Sequence, residues 1–192
     1  EVTLTSLDST SVDVPVNSQI SFVMDEAVSE TCLSNLVLSD GANNIGVSAS
    51  LASDQRTVTV TPVSELATST EYTLSLDGLC DTAGNVLSGV SLTLITSASD
   101  VADTSGPVLQ SIDPAYNETV SLTPTITMVY NEPVNLINPP YVYGAGVTVY
   151  GDYSLSGNTI TFTPASPLVG DTRYRVYYRA TDLAGNRGSN ST

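Results

Sequence analysis

The chain has 192 residues, of which 20 are acidic and five are basic, so its formal net charge is −15 at pH 7. It contains no histidine and no tryptophan, and all five basic residues are arginines, which excludes imidazole general bases, lysine Schiff bases and Lys–Asn isopeptide crosslinks. The strong negative charge would repel a phosphate backbone, so we expect neither nucleic acid nor an anionic membrane surface as a partner.

Short segments in which apolar residues alternate with hydroxyl residues predict an all-β chain. In chain order, clear examples are residues 20–24, 57–61, 72–76 and 91–94. Each segment is bounded by turn-forming residues, which is typical of antiparallel strands with one solvated face. Hydrophobic residues make up 41% of the chain, which is enough for packed cores. No apolar run approaches the ~20 residues of a membrane span, so we expect no membrane insertion.

The second half of the chain repeats the segments of the first half in the same order. The equivalent segments are residues 4–8 and 109–113, 20–22 and 126–128, 58–62 and 160–164, and 81–85 and 182–186. Their offset stays between roughly 101 and 106 residues, so small loop insertions separate two copies of one module. We therefore predict domains at residues 1–99 and 108–192, joined by a short acidic linker at residues 100–107.

The repeated pattern resembles the bacterial Ig-like domains that are found in S-layer proteins and very large adhesins. The residues that carry the resemblance are Leu7 and Asp8, Ile112 to Pro114, the strands at Phe22 and Met128 with Glu26 and Glu132 after them, the Thr-Pro…Leu…Tyr segments, and the Asp-x-Ala-Gly-Asn loops at residues 81–85 and 182–186. The resemblance covers nearly the whole chain and implies two tandem Ig-like antiparallel β-sandwiches.

As a function, the resemblance implies a non-catalytic structural or adhesive module of an extracellular or cell-surface bacterial protein. Its partners would be neighbouring Ig-like domains or subunits, and it would require no cofactor. One alternative is an accessory module of a secreted enzyme that binds a glycan or a protein. Catalysis by paired carboxylates is a further alternative, but it needs a substrate cleft that small sandwiches seldom supply.

The second copy lacks a counterpart to the last strand of the first copy. After the loop at residues 81–85 the chain continues into a clear strand at residues 90–96, whereas only six residues follow the loop at 182–186. We expect one of two explanations: the chain is cut from a longer protein, or it is a filament subunit that is completed by a strand donated from a neighbour.

The chain has two cysteines, Cys32 and Cys80. In an Ig-like sandwich both positions fall toward the same pole, so the resemblance favours a disulfide between them. The alternative, a redox or metal-binding pair, has neither C-x-x-C spacing nor a histidine partner. A disulfide implies an oxidising compartment.

Carboxylates recur at one pole of each expected sandwich. In an Ig-like topology the linker enters the second domain at this pole, where an interdomain Ca²⁺ site could form from oxygen ligands. The candidate ligands are Asp100, Asp103, Glu132, Asp182 and Asn186. The alternative is turn chemistry, in which Asp accepts bonds from local amides while Gly or Asn takes a positive φ.

A basic and aromatic strand is predicted late in the second domain, where alternation places Tyr174, Val176 and Tyr178 inward. The residues expected to face outward are Arg173, Arg175, Tyr177 and Arg179. This face could bind a glycan or an acidic protein partner. The alternative is ordinary cross-strand stacking of Arg on Tyr.

Overall fold

The computed structural model describes residues 1–5, 7 and 11–188 of the chain. Asp8 of the first repeated segment and residues 189–192, at the end of the second copy, lie outside the described residues. Contacts divide the chain into two compact units. The first contains Glu1–Thr104 and Leu183–Gly185, and the second contains Ser105–Asp182 and the described residues from Asn186 on.

The first unit is a sandwich of two antiparallel sheets. Its strands are β1 (Val2–Thr5), β2 (Ile20–Met24), β3 (Val37–Ser39), β4 (Asn44–Ile45), β5 (Val47–Leu51), β6 (Thr57–Pro62), β7 (Glu71–Ser75) and β8 (Ser91–Ile95). The strand order is β1-β2-β6-β5 in one sheet and β4-β3-β7-β8 in the other. A 3₁₀ helix, Glu30–Asn35, lies between β2 and β3. Among the described residues, no helix is long and apolar enough to cross a membrane.

The core of the first unit follows from the alternation in the sequence. On β2, Ile20, Phe22 and Met24 are buried, and the two residues between them are half-buried. Leu74 on β7 and Leu94 on β8 bury their side chains in the same cluster, so the two sheets share one core. Full burial of an aliphatic or aromatic side chain contributes about 1.5–3 kcal/mol. The two sheets therefore pack with their apolar faces against each other.

The second unit is also built from two antiparallel sheets. Its strands are β9 (Leu109–Asp113), β10 (Ile126–Tyr130), β11 (Val134–Gly144), β12 (Val147–Val149), β13 (Gly151–Ser156), β14 (Thr159–Pro164) and β15 (Arg175–Asp182). The strand order is β13-β14-β10-β9 in one sheet and β12-β11-β15 in the other. The prediction of an all-β chain is therefore confirmed.

The strands of the second unit correspond in order to β1 through β7, because β9 to β15 repeat the same pairings. Over the described residues, no strand corresponds to β8. The core also differs, since it consists of two clusters. One is centred on Met128 and Ile160, and the other on Phe162 and Leu168. The second unit thus keeps the topology of the first, and Ile112 and Val176 pack against both of its clusters.

In both units, a tyrosine hydroxyl accepts a hydrogen bond from the loop that precedes it. In the first unit the Tyr72 hydroxyl accepts a hydrogen bond from the Ala67 N–H at 2.9 Å. In the second unit the Tyr174 hydroxyl accepts one from the Val169 N–H, also at 2.9 Å. Each tyrosine reaches back five residues along the chain, as in the tyrosine corner of β-sandwiches. The repeat therefore extends from strand order to individual hydrogen bonds.

The buried hydroxyl of Tyr130 predicts a stabilising substitution in the second unit. Tyr130 is 3% exposed, and its hydroxyl has no hydrogen-bond partner among the described residues. Burial, with a smaller contribution from nearby Tyr178, raises the pKa of the phenol, which keeps it neutral. Because an unsatisfied buried hydroxyl is costly, we expect Tyr130→Phe to raise the free energy of unfolding by about 1 kcal/mol in urea denaturation.

The matched control for this substitution is Tyr174→Phe, which removes a hydroxyl that does accept a hydrogen bond. We expect it to lower the free energy of unfolding by about 1 kcal/mol. Equal destabilisation by the two variants would contradict the assignment of the Tyr130 hydroxyl as unsatisfied.

Candidate functional site

Cys32 and Cys80 form the predicted disulfide in the first unit. Their Cα atoms are 5.6 Å apart, within the usual range for a disulfide. Cys32 lies in the 3₁₀ helix Glu30–Asn35, and Cys80 follows β7. The Ser29 N–H also donates to the Cys80 carbonyl at 2.9 Å, so the two segments are joined by both backbone and side chains. The bridge therefore links the 3₁₀ helix covalently to the segment after β7 at one end of this sandwich.

The Asp81 loop of the first unit is a turn that its own carboxylate organises. Oδ1 of Asp81 accepts from the Ala83 N–H and from the Asn85 N–H, each at 2.8 Å. Oδ2 accepts from the Asn85 side-chain amide at 2.6 Å. Gly84 has a φ of +91°, which a residue without Cβ adopts at little cost. Both carboxylate oxygens therefore hold the loop itself.

The Asp182 loop of the second unit repeats this arrangement. Its carboxylate accepts from the Asn186 N–H and from the Asn186 side-chain amide, each at 2.8 Å. The Asp182 N–H donates back to the Asn186 carbonyl at 3.0 Å, just as the Asp81 N–H donates to the Asn85 carbonyl. Turn chemistry, one of the two interpretations of the Asp-x-Ala-Gly-Asn sequence, is thus present in both units.

We expect acid to destabilise the first unit through Asp81. The pKa of this carboxyl is lowered, first by the hydrogen bond from the Asn85 side chain and then by the Asn85 backbone N–H. A carboxyl whose folded pKa lies below the unfolded value of 3.8 contributes stability above about pH 4 and loses it as the pH falls through the folded pKa. Urea denaturation between about pH 2 and pH 5 should therefore show a shallower pH dependence for Asp81→Asn than for the unsubstituted chain.

The control for the acid experiment is Glu65→Gln, which removes an exposed carboxylate elsewhere in the first unit. This variant should keep the slope of the parent chain. If Asp81→Asn also kept that slope, the Asp81 carboxylate would not stabilise the loop as its hydrogen bonds indicate.

A shallow cavity borders the Asp81 loop. It is lined in part by Met24, Val28, Leu79 and Val86 and has a volume of about 110 Å³. Pockets that hold small-molecule ligands usually measure about 300–1,000 Å³. This cavity is therefore too small for a drug-sized ligand.

The residues predicted to bind Ca²⁺ are divided between the two units. Asp100 and Asp103 belong to the first unit, where the Asp103 N–H donates to the Asn17 side-chain oxygen at 3.0 Å. Glu132, Asp182 and Asn186 belong to the second unit. Calcium binding stays a prediction from the sequence. If it is correct, millimolar Ca²⁺ should raise the thermal midpoint of unfolding more than equimolar Mg²⁺ does.

The predicted partner face lies on β15 and the residues just before it. The inward set, Tyr174, Val176 and Tyr178, is half-buried. The outward set, Arg173, Arg175, Tyr177 and Arg179, is exposed, as the alternation predicts. In the described part of the chain, no salt bridge is found at Arg173, Arg175 or Arg179.

A row of three tyrosines crosses this face. The Tyr177 ring stacks on Tyr141 at a centroid distance of 5.0 Å and an interplanar angle of 10°. Tyr141 in turn contacts Tyr150 at 5.6 Å with a 52° tilt. We call Tyr150, Tyr141 and Tyr177 the tyrosine row. The alternation identified Tyr177, but Tyr141 and Tyr150 become its neighbours only through strand pairing.

The strand register explains the tyrosine row and the position of Arg175 beside it. In the antiparallel pair β11·β15, Tyr141 is opposite Tyr177 and Tyr143 is opposite Arg175. Directly opposed side chains on one face of a sheet are close enough to interact. The register thus places Arg175 opposite Tyr143, while the ring contacts on this face join tyrosines. Stacking of Arg on Tyr stays a prediction from the sequence.

Comparison with protein families shows a match in both halves of the chain. A family model described as a bacterial Ig-like domain matches residues 1–96 and again residues 103–192. Each match covers one copy of the repeat, and together they cover nearly all of the chain. No curated protein matches the sequence significantly.

Several solved structures are similar to the chain at low identity. The crystal structure of the N-terminal part of the bacterial S-layer protein SbsC is 13% identical, with 90% of this chain and 42% of that chain covered and a TM-score of 0.41. The structure of surface layer protein SbsC, domains 1–6, is 10% identical, with coverages of 99% and 33% and a TM-score of 0.41. The crystal structure of rSbsC(31–844) is 11% identical, with coverages of 98% and 34% and a TM-score of 0.40. The chain spans less than half the length of these structures.

Proposed function

The chain belongs to the bacterial Ig-like domain family, and from this premise we propose that it is a non-catalytic structural module of an extracellular or cell-surface bacterial protein. The observation that carries the proposal is the tandem repetition of one family domain along nearly the whole chain. Repeated sandwiches with separate cores suit a spacer, because each unit buries its own apolar faces. The disulfide of the first unit fits an oxidising compartment.

Surface labelling of the source bacterium tests this proposal. Antibodies raised against residues 1–192 should label intact cells or the culture medium, and protease added to intact cells should remove the cell-bound label. A cytoplasmic protein should be labelled only after lysis and serves as the control. Detection of this chain only after lysis would contradict an extracellular role.

A second candidate function is the binding of a glycan or an acidic protein partner by the tyrosine row. The specific observation in its favour is that Tyr150 and Tyr177 are 64% and 38% exposed while both rings contact Tyr141, Tyr177 in a stacked and Tyr150 in a tilted geometry. Flat aromatic surfaces bind sugar faces, and adjacent arginines attract carboxylates. Such a site would make the chain an accessory or adhesive module.

A glycan array and a binding titration test the second candidate. Tyr177→Ala should weaken any binding at least tenfold, because it interrupts the row at its β15 end. The matched control is Tyr116→Ala, since Tyr116 is 82% exposed but is not part of the row. Equal binding by the parent chain and the two variants would remove the tyrosine row as the binding site.

A further inference from the structure

The duplication provides an internal comparison for the sheet β12-β11-β15 of the second unit. Its counterpart in the first unit is the sheet β4-β3-β7-β8. Tyr72 and Tyr174 are equivalent in the two sheets, because each hydroxyl accepts a hydrogen bond from the N–H five residues earlier. The outward residues that follow them, Thr73 and Arg175, therefore occupy the same position.

The outward positions of the two sheets differ in chemistry although they share a register. In the pair β3·β7, Val37 is opposite Ser75, just as Tyr141 is opposite Tyr177 in the pair β11·β15. The first unit has aliphatic, hydroxyl or acidic residues at these positions: Val37, Ser39, Glu71, Thr73, Ser75 and Asp77. The second unit has only tyrosine and arginine there: Tyr141, Tyr143, Arg173, Arg175, Tyr177 and Arg179. Because the first unit forms the same sandwich with the other set, the fold does not require tyrosine and arginine here.

The outward face of this sheet is open in the module that contains all of its strands. In the first unit, Val37 on β3 and Ile95 on β8 are both exposed on this face. The strand β8 lies beside β7 in the plane of the sheet, so it does not cover the face. The openness of the equivalent face in the second unit thus follows from the architecture of the module.

The positive charge on this face has no acidic counterpart within the sheet. Arg173, Arg175 and Arg179, which we call the arginine column, are exposed and include three of the five arginines of the chain. The strands β11, β12 and β15 contain a single acidic residue, Asp182, which is buried and accepts hydrogen bonds from its own loop. The arginine column can therefore donate charge-assisted hydrogen bonds to an anionic ligand.

The tyrosine row offers ring edges at its centre and a ring face at one end. Tyr141 and Tyr177 stack at 5.0 Å, close to the spacing of about 4.8 Å between neighbouring strands, so each ring covers a face of the other. Their edges, which are electropositive, and their hydroxyls remain for a ligand. Tyr150 is tilted by 52° against Tyr141 and is mostly exposed, so its ring can contact a sugar. The row therefore combines groups for an anion with a surface for a sugar.

The size of the face favours an extended polymer over a globular protein as the ligand. Three strands at a spacing of about 4.8 Å, with the eight residues of β15 at about 3.3 Å each, cover at most about 400 Å². A stable protein–protein interface usually needs about 800 Å² on each partner. A single polysaccharide chain can contact both the tyrosine row and the arginine column without further surface.

We propose that the outward face of the sheet β12-β11-β15 binds a linear polysaccharide whose sugars carry carboxylate groups. The arginine column binds the carboxylates, and the tyrosine row contacts the sugar rings and their hydroxyls. Arg173 and Arg175 lie on the same side of one strand, so regularly spaced carboxylates on one polymer can engage both. The inference rests on the second candidate function proposed above and deepens it by naming the class of glycan.

Polygalacturonate and its fully methyl-esterified form are a matched pair of probes, because they differ only in the charge of the carboxyl group. Isothermal titration calorimetry with residues 1–192, in buffer that contains EDTA, should show saturable binding of polygalacturonate. The esterified polymer should bind about tenfold more weakly. Raising NaCl from about 0.1 M to about 1 M shortens the screening length from about 10 Å to about 3 Å, so it should weaken the binding of polygalacturonate alone.

Substitutions copied from the first unit remove the site while they keep residues that this fold accepts. Arg175→Thr should weaken the binding of polygalacturonate about fivefold, because a charge-assisted hydrogen bond is lost. The matched control is Arg56→Thr, which makes the same substitution at the one arginine of the first unit and should leave binding unchanged. The double variant Tyr141→Val and Tyr177→Ser should weaken the binding of both polymers, and circular dichroism should show that each variant is folded.

Three results would overturn the proposal. Equal binding of the charged and the esterified polymer would leave the tyrosine row as a site for neutral glycans, so the second candidate function would survive without this inference. Binding of poly-glutamate at least as tight as that of polygalacturonate would assign the face to an acidic polypeptide instead. Equal binding by the Arg175→Thr and Arg56→Thr variants would remove the arginine column from the site. A lack of binding to any glycan would contradict the second candidate function as well.

Discussion

Replacing Phe162 with alanine is expected to lower the free energy of unfolding of the second unit by about 3–5 kcal/mol. Phe162 is fully buried on β14 and packs in one cluster with Ile126, Val142 and Leu168. Alanine would remove most of these contacts and leave a cavity that the surrounding strands cannot close. A loss of this size is a large part of the 5–15 kcal/mol that stabilises a typical domain.

Tyrosine fluorescence reports mainly the second unit, so it makes this effect measurable there. Nine of the ten tyrosines lie between Tyr116 and Tyr178, Tyr72 is the tenth, and the chain has no tryptophan. Urea denaturation followed by this signal should shift strongly for Phe162→Ala and hardly at all for Val147→Ala, an exposed control. A change below about 1 kcal/mol for Phe162→Ala would show that this cluster does not carry the stability of the unit.

Removing the disulfide by the double substitution Cys32→Ala and Cys80→Ala is expected to cost the first unit about 4 kcal/mol. The bridge joins positions 48 residues apart in the sequence, and the segment it closes contains β3 to β7. Without the bridge, the unfolded chain regains the freedom of this long loop, so the unfolded state becomes more favourable. Circular dichroism during urea denaturation would report the shift.

Two controls separate the disulfide from other effects. A reducing agent should destabilise the first unit of the parent chain by a similar amount and should leave the double variant unchanged. Tyrosine fluorescence, to which the first unit contributes Tyr72 alone, should change little in both cases. Alkylation of the native, unreduced chain should modify no thiol, and modification of both cysteines would refute the bridge.

Local sequence patterns were sufficient to predict the strands and the turn loops of this protein. Alternation in residues 20–24 identified the buried face of β2, because a strand places successive side chains on opposite sides. The Asp-x-Ala-Gly-Asn loops also follow local rules, since the Asp81 carboxylate and the Asn85 amide are only four residues apart. The pairing of Cys32 with Cys80 needed the family resemblance, because the two lie far apart in the sequence.

The tyrosine row depended on pairing between distant segments. Tyr141 and Tyr177 are 36 positions apart in the sequence, and the register of β11 against β15 places them face to face. That register includes irregularities between Leu136 and Tyr141, where the strand passes Pro139 and Pro140. Such shifts depend on the packing of the whole sheet, so alternation along one strand cannot reveal them.

The sequence by itself determined the all-β class, the duplication, the turn loops, the alternation of inward and outward residues, and the concentration of positive charge late in the chain. These are local or compositional properties, and they depend on side-chain chemistry over a few residues. The tertiary structure alone decided that the second core consists of two clusters and that the rings of Tyr141 and Tyr177 stack. Burial depends on which distant strands meet, because a side chain loses its solvent only when a neighbouring strand covers it.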